Sequence, residues 1–381
     1  MSEIWNLPGP LKFLRAVAED LRSGVNVTMV FPDHAPDGWI THLRIMLLDS
    51  LPRLDHVACD GKPPIQLLHH HLGLGEPSQR ATVADLCNCK NFSGRLLYVS
   101  FTSSEPWKAW RSFLEQYEDA CRHFSLSERT LFIASISGDL AEHAPKPANL
   151  LRVYDWTDRV DGLDVRLHAA NLLSSVSLPA WQRNLAVSLL AELALWDPIV
   201  CAEGASRSLE ELVEPVSWLA DIARSRNWPE KLDLKSPQAL RHGIRQPFEG
   251  IQRIHSAWLA LASRHDTLEE RVWNAQVRAL FPILERHRRA LIKKYGSMHL
   301  FKVPWITRIA RIEHIEDLEL NHMADQMRSQ NSAGLRSICD FVSWLRDLRN
   351  DLAHLKPIPA SRLLDPRFTD RMSHFLSVDD L

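Results

Sequence analysis

"NVTMVFPDHAPDGWITHL", residues 26–43, sets an apolar, β-branched run against a proline-marked polar loop and then an apolar pattern at three- and four-residue spacing. A short run rich in such residues and ended by a turn former reads as a buried strand, and the spacing beyond Gly38 reads as a helix. The same alternation continues downstream. "RLLYVSFT" (95–102), "TLFIAS" (130–135) and "LLRVYDW" (150–156) are further strands. "WITHLRIMLLDSL" and "PWKAWRSFLEQYEDACRHF" are helices between them, the second opened by Ser104 and Glu105 with Pro106 in its first turn. Strands that alternate with helices pair in parallel under helical cover, which predicts an α/β domain.

From about Leu178 onward the strand signals stop. "AWQRNLAVSLLAELALW", "LEELVEPVSWLADIARS" and "QPFEGIQRIHSAWLALASRH" carry apolar residues at helical spacing, and the rest of the chain reads as an all-α bundle. The polar stretch "RSRNWPEKLDLKSPQ", 224–238, is the natural boundary. The expected domains are therefore an α/β domain with a helical extension over 1–235 and a helical domain over 236–381. No internal repeat or low-complexity segment interrupts them.

The chain has 381 residues, 45% apolar and 24% charged, the profile of an ordinary soluble protein. No apolar run reaches the roughly 18 residues of a membrane span, and "MSEIWNLPGPLKFLRAVAEDL" lacks the basic and apolar segments of a secretory signal; a cytoplasmic protein is expected. The six cysteines are scattered, and "CNC" at 87–89 has no second pair or histidine partner, so reduced thiols are expected and no structural zinc. His69, His70 and His71 are consecutive and point about 100° apart on a helix, which cannot converge on one ion. No metal or cofactor is expected. The formal charge of −2 divides into −7 over residues 1–239 and +5 over 240–381. The densest basic patch, Arg286, Arg288, Arg289, Lys293 and Lys294 in "ERHRRALIKKYG", is a candidate RNA-binding face, with a solvated helix face as the plain alternative.

A strand, loop and helix near the N-terminus invite a search for a phosphate-binding loop. "PDHAPDGWITHL" has only Gly38 and Thr41 where G-x-x-x-x-G-K-[ST] needs two glycines and a lysine, and Asp33 and Asp37 repel phosphate. "RTLFIASISGD" is apolar where a magnesium-holding carboxylate would stand, with Asp139 arriving late. In layout this half resembles the P-loop ATPase superfamily, AAA-type folds in particular, while departing from every nucleotide-handling motif. The resemblance implies a scaffold that has lost hydrolysis, with no nucleotide-binding residues assigned; an active nucleotide switch is the reading that the loop opposes.

The other chemistry-bearing stretch is "WLRDLRNDLAHLKPI", Trp344–Ile358. Ile338, Phe341, Val342, Leu345, Leu348, Leu352 and Leu355 recur at spacings of three, four and seven and turn one helix face to the core. With Leu345 at 0° and about 100° per residue, Arg349 falls near 40°, Arg346 near 100°, Asn350 near 140° and His354 near 180°, around the small Ala353. Asp347 and Asp351 fall on the far side. A histidine with an ordinary pKa near 6.5 can move a proton at neutral pH, and an arginine can hold a phosphodiester through paired N–H donors. The plain alternative is a helix end whose histidine favours the macrodipole before Pro357 stops it.

"RNDLAH", 349–354, resembles the R-[polar]-x-x-x-H signature of the HEPN superfamily, helical domains that include metal-independent ribonucleases of prokaryotic defence and toxin systems. The resemblance covers roughly residues 240–381. It implies RNA cleavage by 2′-hydroxyl attack on the adjacent phosphate, with His354 as proton-transfer residue, Arg349 as phosphate and transition-state ligand and Asn350 as orienting group. Arg346 and the basic patch would then contact RNA. It also implies a homodimer that brings two copies of the helix together. The function expected is a metal-independent endoribonuclease under an α/β scaffold or sensor, in antiphage defence or a toxin-antitoxin pair. The alternative is a non-catalytic subunit of a multi-protein defence complex.

Overall fold

The computed structural model describes residues 3–374 apart from 60, 79, 102, 297–298, 308–310 and 330–335. The chain divides into two compact units. One is built from residues 1–164, 196–198 and 226–255, the other from 165–195, 199–225 and 256–381. The sheet unit thus regains 226–255 after two helical excursions, and the division does not run through 235/236.

In the sheet unit, α1 (Pro8–Arg22) precedes β1 (Asn26–Phe31). Then follow α2 (Trp39–Leu47), β2 (Leu54–Val57), α3 (Pro64–His71), α4 (Val83–Cys87), β3 (Leu96–Ser100), α5 (Ser104–Ala120), β4 (Leu131–Ser137) and β5 (Leu151–Asp155). The five strands pair in parallel in the order β2-β3-β4-β1-β5. The α/β reading of the N-terminal region is borne out. β1 is buried along its whole length, as a central parallel strand with both faces covered should be. Of these five strands, the edge strand β2, "LDHV", escaped the sequence pattern: Val57 alone is buried, so it carries no apolar run. Thr102, the last residue of the strand read over 95–102, lies outside the described residues.

Asn26 ties the strand starts together. Its Nδ2 donates to the Leu150 carbonyl (3.0 Å) and its Oδ1 accepts from the Phe132 N–H (2.9 Å), so a buried amide closes β1 against β4 and β5. Aromatic side chains fill both sides of the sheet. Trp110, Phe113 and Tyr117 of α5 pack around Phe132 of β4, and Trp5, Phe13 and Phe31 surround Trp156 after β5.

The later helices are α6 (Gly162–Leu172), α7 (Ala180–Ala194), α8 (Pro198–Ala205), α9 (Leu209–Val213), α10 (Val216–Ser225), α11 (Pro237–Arg241), α12 (Ser256–Leu261), α13 (His265–Gly296), α14 (Leu320–Ser329), α15 (Arg336–Ala353), α16 (Ala360–Leu363) and α17 (Pro366–His374). In the helical unit α7 packs on the long α13, α10 on α12, and α15 on both α13 and α14.

Two readings are corrected. "QPFEGIQRI" is not helical: Arg245–Phe248 (β6) and Ile251–Ile254 (β7) form an antiparallel hairpin, and Trp305–Ile306 (β8) pairs antiparallel with Arg311–Ile312 (β9). Glu249 and Gly250 both take positive φ, 51° and 76°, the two-residue turn that matches strand twist, while Phe248, Ile251 and Ile254 only happen to fall at helical spacing. "LEELVEPVSWLADIARS" is two helices, α9 and α10, because Pro215 cannot donate into a continuing helix.

Candidate functional site

α15 forms because Phe341, Val342, Leu345, Leu348 and Leu352 bury one stripe, joined by Trp344, whose Nε1 donates to the Arg362 carbonyl (3.0 Å). Leu355 was expected on that stripe and is not there. The helix stops at Ala353, and Leu355 takes φ +58° and is 69% exposed. Lys356 N donates to the Asp351 carbonyl (3.0 Å) and Leu355 N to the Leu352 carbonyl (3.3 Å), which closes a Schellman motif with leucine at the left-handed position usually given to glycine. His354 is consequently the last residue before the chain reverses. Its N–H still bonds the Asn350 carbonyl (3.0 Å) while its side chain is exposed.

α13 holds this end in place. Trp273 Nε1 donates to the Leu352 carbonyl (2.8 Å). Gln276 clamps Ile358 in both directions, accepting from its N–H (2.7 Å) and donating to its carbonyl (2.8 Å). Trp273 and Gln276 lie some 80 residues before their partners, and no local pattern pointed to them.

Arg349 and Asn350 are half-buried beside the stripe. Arg349 Nη2 meets Glu319 Oε2 at 2.9 Å, and Arg346 is paired with Asp347 at 2.8 Å. Arg349 and His354 are not brought together on the one helix: five residues separate them by about 7.5 Å of rise and about 140° of turn. Each presents its group to a separate sector at the end of α15. In the basic patch, Arg286, Lys293 and Lys294 are exposed, and Arg289 is exposed but bonds Glu285 (3.0 Å). Arg288 turns inward to the carbonyls of Glu316 (2.7 Å) and Leu318 (3.0 Å). His287, between them, is fully buried, and burial pushes its imidazole down to about 4.

In the sheet unit, the carboxyl ends of β4, β1 and β5 open where an α/β sheet of switched strand order places its ligand crevice. That crevice is occupied by the protein itself. Asp33, two residues past β1, accepts from His242 Nδ1 (2.6 Å), and a Cβ on Gly138, at φ +57°, would overlap the Asp33 carboxylate. Arg241 bonds Asp139 (3.0 Å) and also pairs with Glu142. Deeper, Asp197 accepts from Arg226 Nη1 (2.5 Å) and His255 Nε2 (2.9 Å), and the Arg226 guanidinium lies over the Trp228 ring at 5.0 Å. Burial opposes the Asp197 charge. Arg226 and His255 outweigh it and hold the carboxyl well below the usual carboxylate range. Burial, followed by the Arg226 charge, lowers the pKa of His34.

Pro32, His34, Trp156, Trp196, Arg226, His242 and Gln246 are among the lining residues, and no lysine, serine, threonine or cysteine is. The space left is about 20 Å³, enough for one or two waters and far below a nucleotide. Nη2 of Arg226 and Nε2 of Gln246 have no protein acceptor among the described residues.

His69, His70 and His71 close α3, and among the described residues no three His, Cys, Asp or Glu side chains are grouped to hold a metal ion. Burial raises Cys87 to about 12 and Cys121 to about 11, far from a reactive thiolate. No helix among the described residues is long and apolar enough to cross a membrane.

No family model and no curated protein matches this chain. Among solved structures, a single-substitution variant of RuvB from Thermotoga maritima aligns over 97% of this chain and 93% of its own, at 11% identity and a TM-score of 0.29. The same organism's RuvB Holliday junction branch migration motor aligns over 96% and 93%, at 11% identity and a TM-score of 0.28.

Proposed function

We propose that this chain is a HEPN-type, metal-independent endoribonuclease in which the end of α15 acts on RNA and the sheet unit is a P-loop-like scaffold that does not hydrolyse nucleotide. One observation carries the reading: Arg349, Asn350 and His354 stand off the buried stripe at a helix end that α13 and the Schellman turn hold still, with the His354 ring open to solvent. A proton-transfer histidine needs an accessible ring on a fixed backbone. In this reading His354 takes the proton from the 2′-hydroxyl, or returns one to the leaving 5′-oxygen; Arg349 neutralises the phosphate as charge builds; Asn350 orients it. The two sectors of α15 are completed by a second copy of the helix, which makes a homodimer the working form. Arg286, Arg289, Lys293 and Lys294 extend the positive surface along α13. The filled crevice supports a scaffold role for the sheet unit.

The test is cleavage of single-stranded RNA by purified protein in excess EDTA. His354→Ala and Arg349→Ala should each lower the rate at least about 10²-fold, or about 2.7 kcal/mol of barrier, with melting temperatures close to wild type. Full activity in both variants with unchanged melting would sink the ribonuclease. The non-catalytic subunit would then stand in its place, a reading that the neutralising Arg349–Glu319 pair favours.

A further inference from the structure

The turn that precedes α14 is not a free surface loop. Arg288 on α13 reaches the carbonyls of Glu316 (2.7 Å) and Leu318 (3.0 Å) through Nη1 while Glu285 fixes its Nε (2.8 Å) and Nη2 (2.7 Å). Leu318 is fully buried. Glu319 is the next residue, and its own N–H donates to His322 Nδ1 at 3.1 Å as α14 begins. Its backbone is therefore pinned from both sides. From that fixed point its Oε2 lies 2.9 Å from Arg349 Nη2 on the neighbouring helix. The residues concerned are far apart in sequence, and α13, α14 and α15 must pack before the carboxylate finds the guanidinium.

We infer that Glu319 sets the affinity of the α15 site for RNA by competing with the phosphodiester for Arg349. The inference rests on the reading of Arg349 as phosphate ligand. A carboxylate and a phosphate oxygen recognise the same guanidinium N–H donors, so the carboxylate holds Arg349 in RNA-free protein and cancels the charge that would draw RNA in. Arg349 is 41% and Glu319 49% exposed, so the pair sits in high dielectric and is weak enough to give way. It acts as a threshold: RNA binds only where the rest of the surface supplies enough further contact to pull Arg349 across. Arg288, counted from the sequence among the RNA contacts, serves instead to aim this carboxylate.

The experiment is fluorescence anisotropy with a labelled single-stranded RNA on full-length His354→Ala protein, which binds without cutting. Adding Glu319→Gln should tighten binding about three- to fivefold at low salt, and the gain should shrink as salt rises, because half-exposed charges are screened. Glu319→Gln together with Arg349→Ala should bind like Arg349→Ala alone, which locates the gain at that guanidinium. Equal or weaker binding by Glu319→Gln overturns the inference, as does a gain that survives loss of Arg349. Cleavage assays keep the two levels apart. If Arg349→Ala abolishes cleavage while Glu319→Gln changes no affinity, the threshold fails and the ribonuclease stands; if Arg349→Ala leaves both binding and cleavage untouched, both fall.

Discussion

The strand-end crevice of the sheet unit and the end of α15 in the helical unit hold the same kinds of side chain, Asp or Glu, Arg and His, in opposite states. In the crevice Asp197 is buried and takes both Arg226 and His255, so its charge is met inside the protein. At the helix end the groups are exposed or half-exposed, and Arg349 is held by a weak, solvent-open ion pair. Polar residues that satisfy one another in the dark hold a fold together. Residues left at the surface on a rigid backbone are available for a ligand. In the function proposed above, the crevice expected from the topology serves as structure, and the helix end is the candidate for chemistry.

Asp197→Ala should be the most damaging substitution, and it strikes at this contrast directly. It leaves Arg226 and His255 buried without their counter-charge and should cost about 3–5 kcal/mol in urea unfolding. A loss under about 1 kcal/mol would mean that the crevice is not a structural network. The folded Asp197 carboxyl lies below its unfolded value, so its contribution is present above the ordinary carboxylate range near 3.9 and is lost as pH falls beneath it.

A second, smaller effect separates the units by pH. His287 is held down to about 4 by burial, so an unfolded chain takes up its proton first as pH falls from about 6.5. Its contribution is intact above about 6.5 and is lost down to about 4, at most about 3 kcal/mol. Thermal melts across that window should show the helical unit weakening before Asp197 titrates, and His287→Leu should flatten the slope. An unchanged slope in that variant would assign the acid sensitivity elsewhere.

The mildest change lies at Leu355. A leucine at φ +58° with 69% of its surface exposed pays for its backbone and returns little packing, so Leu355→Gly should stabilise by about 0.5–1 kcal/mol and leave cleavage unchanged. Destabilisation would show that Leu355 covers something at the site.

Local sequence was enough for whatever depends on neighbours along the chain. β1 was read residue for residue as Asn26–Phe31, because a strand buried along its whole length leaves a run of mostly apolar and β-branched residues in the sequence. The core face of α15 was legible from Phe341 to Leu352 for the same reason: periodicity is a local record of burial. That "PDHAPDGWITHL" has no lysine is likewise a fact of local sequence. The hairpin at 245–254 was misread because Phe248, Ile251 and Ile254 fall at helical intervals, and only the positive φ of Glu249 and Gly250 turns the chain back. Packing in three dimensions was needed for the pairings between distant residues: Asp197 with Arg226 and His255, Gln276 with Ile358, Arg288 with the turn at 316–318, and Glu319 with Arg349. A charged side chain carries no mark of its partner in its own neighbourhood. Its pKa, its burial and its freedom to meet a ligand are settled only when packing brings the partner within about 3 Å.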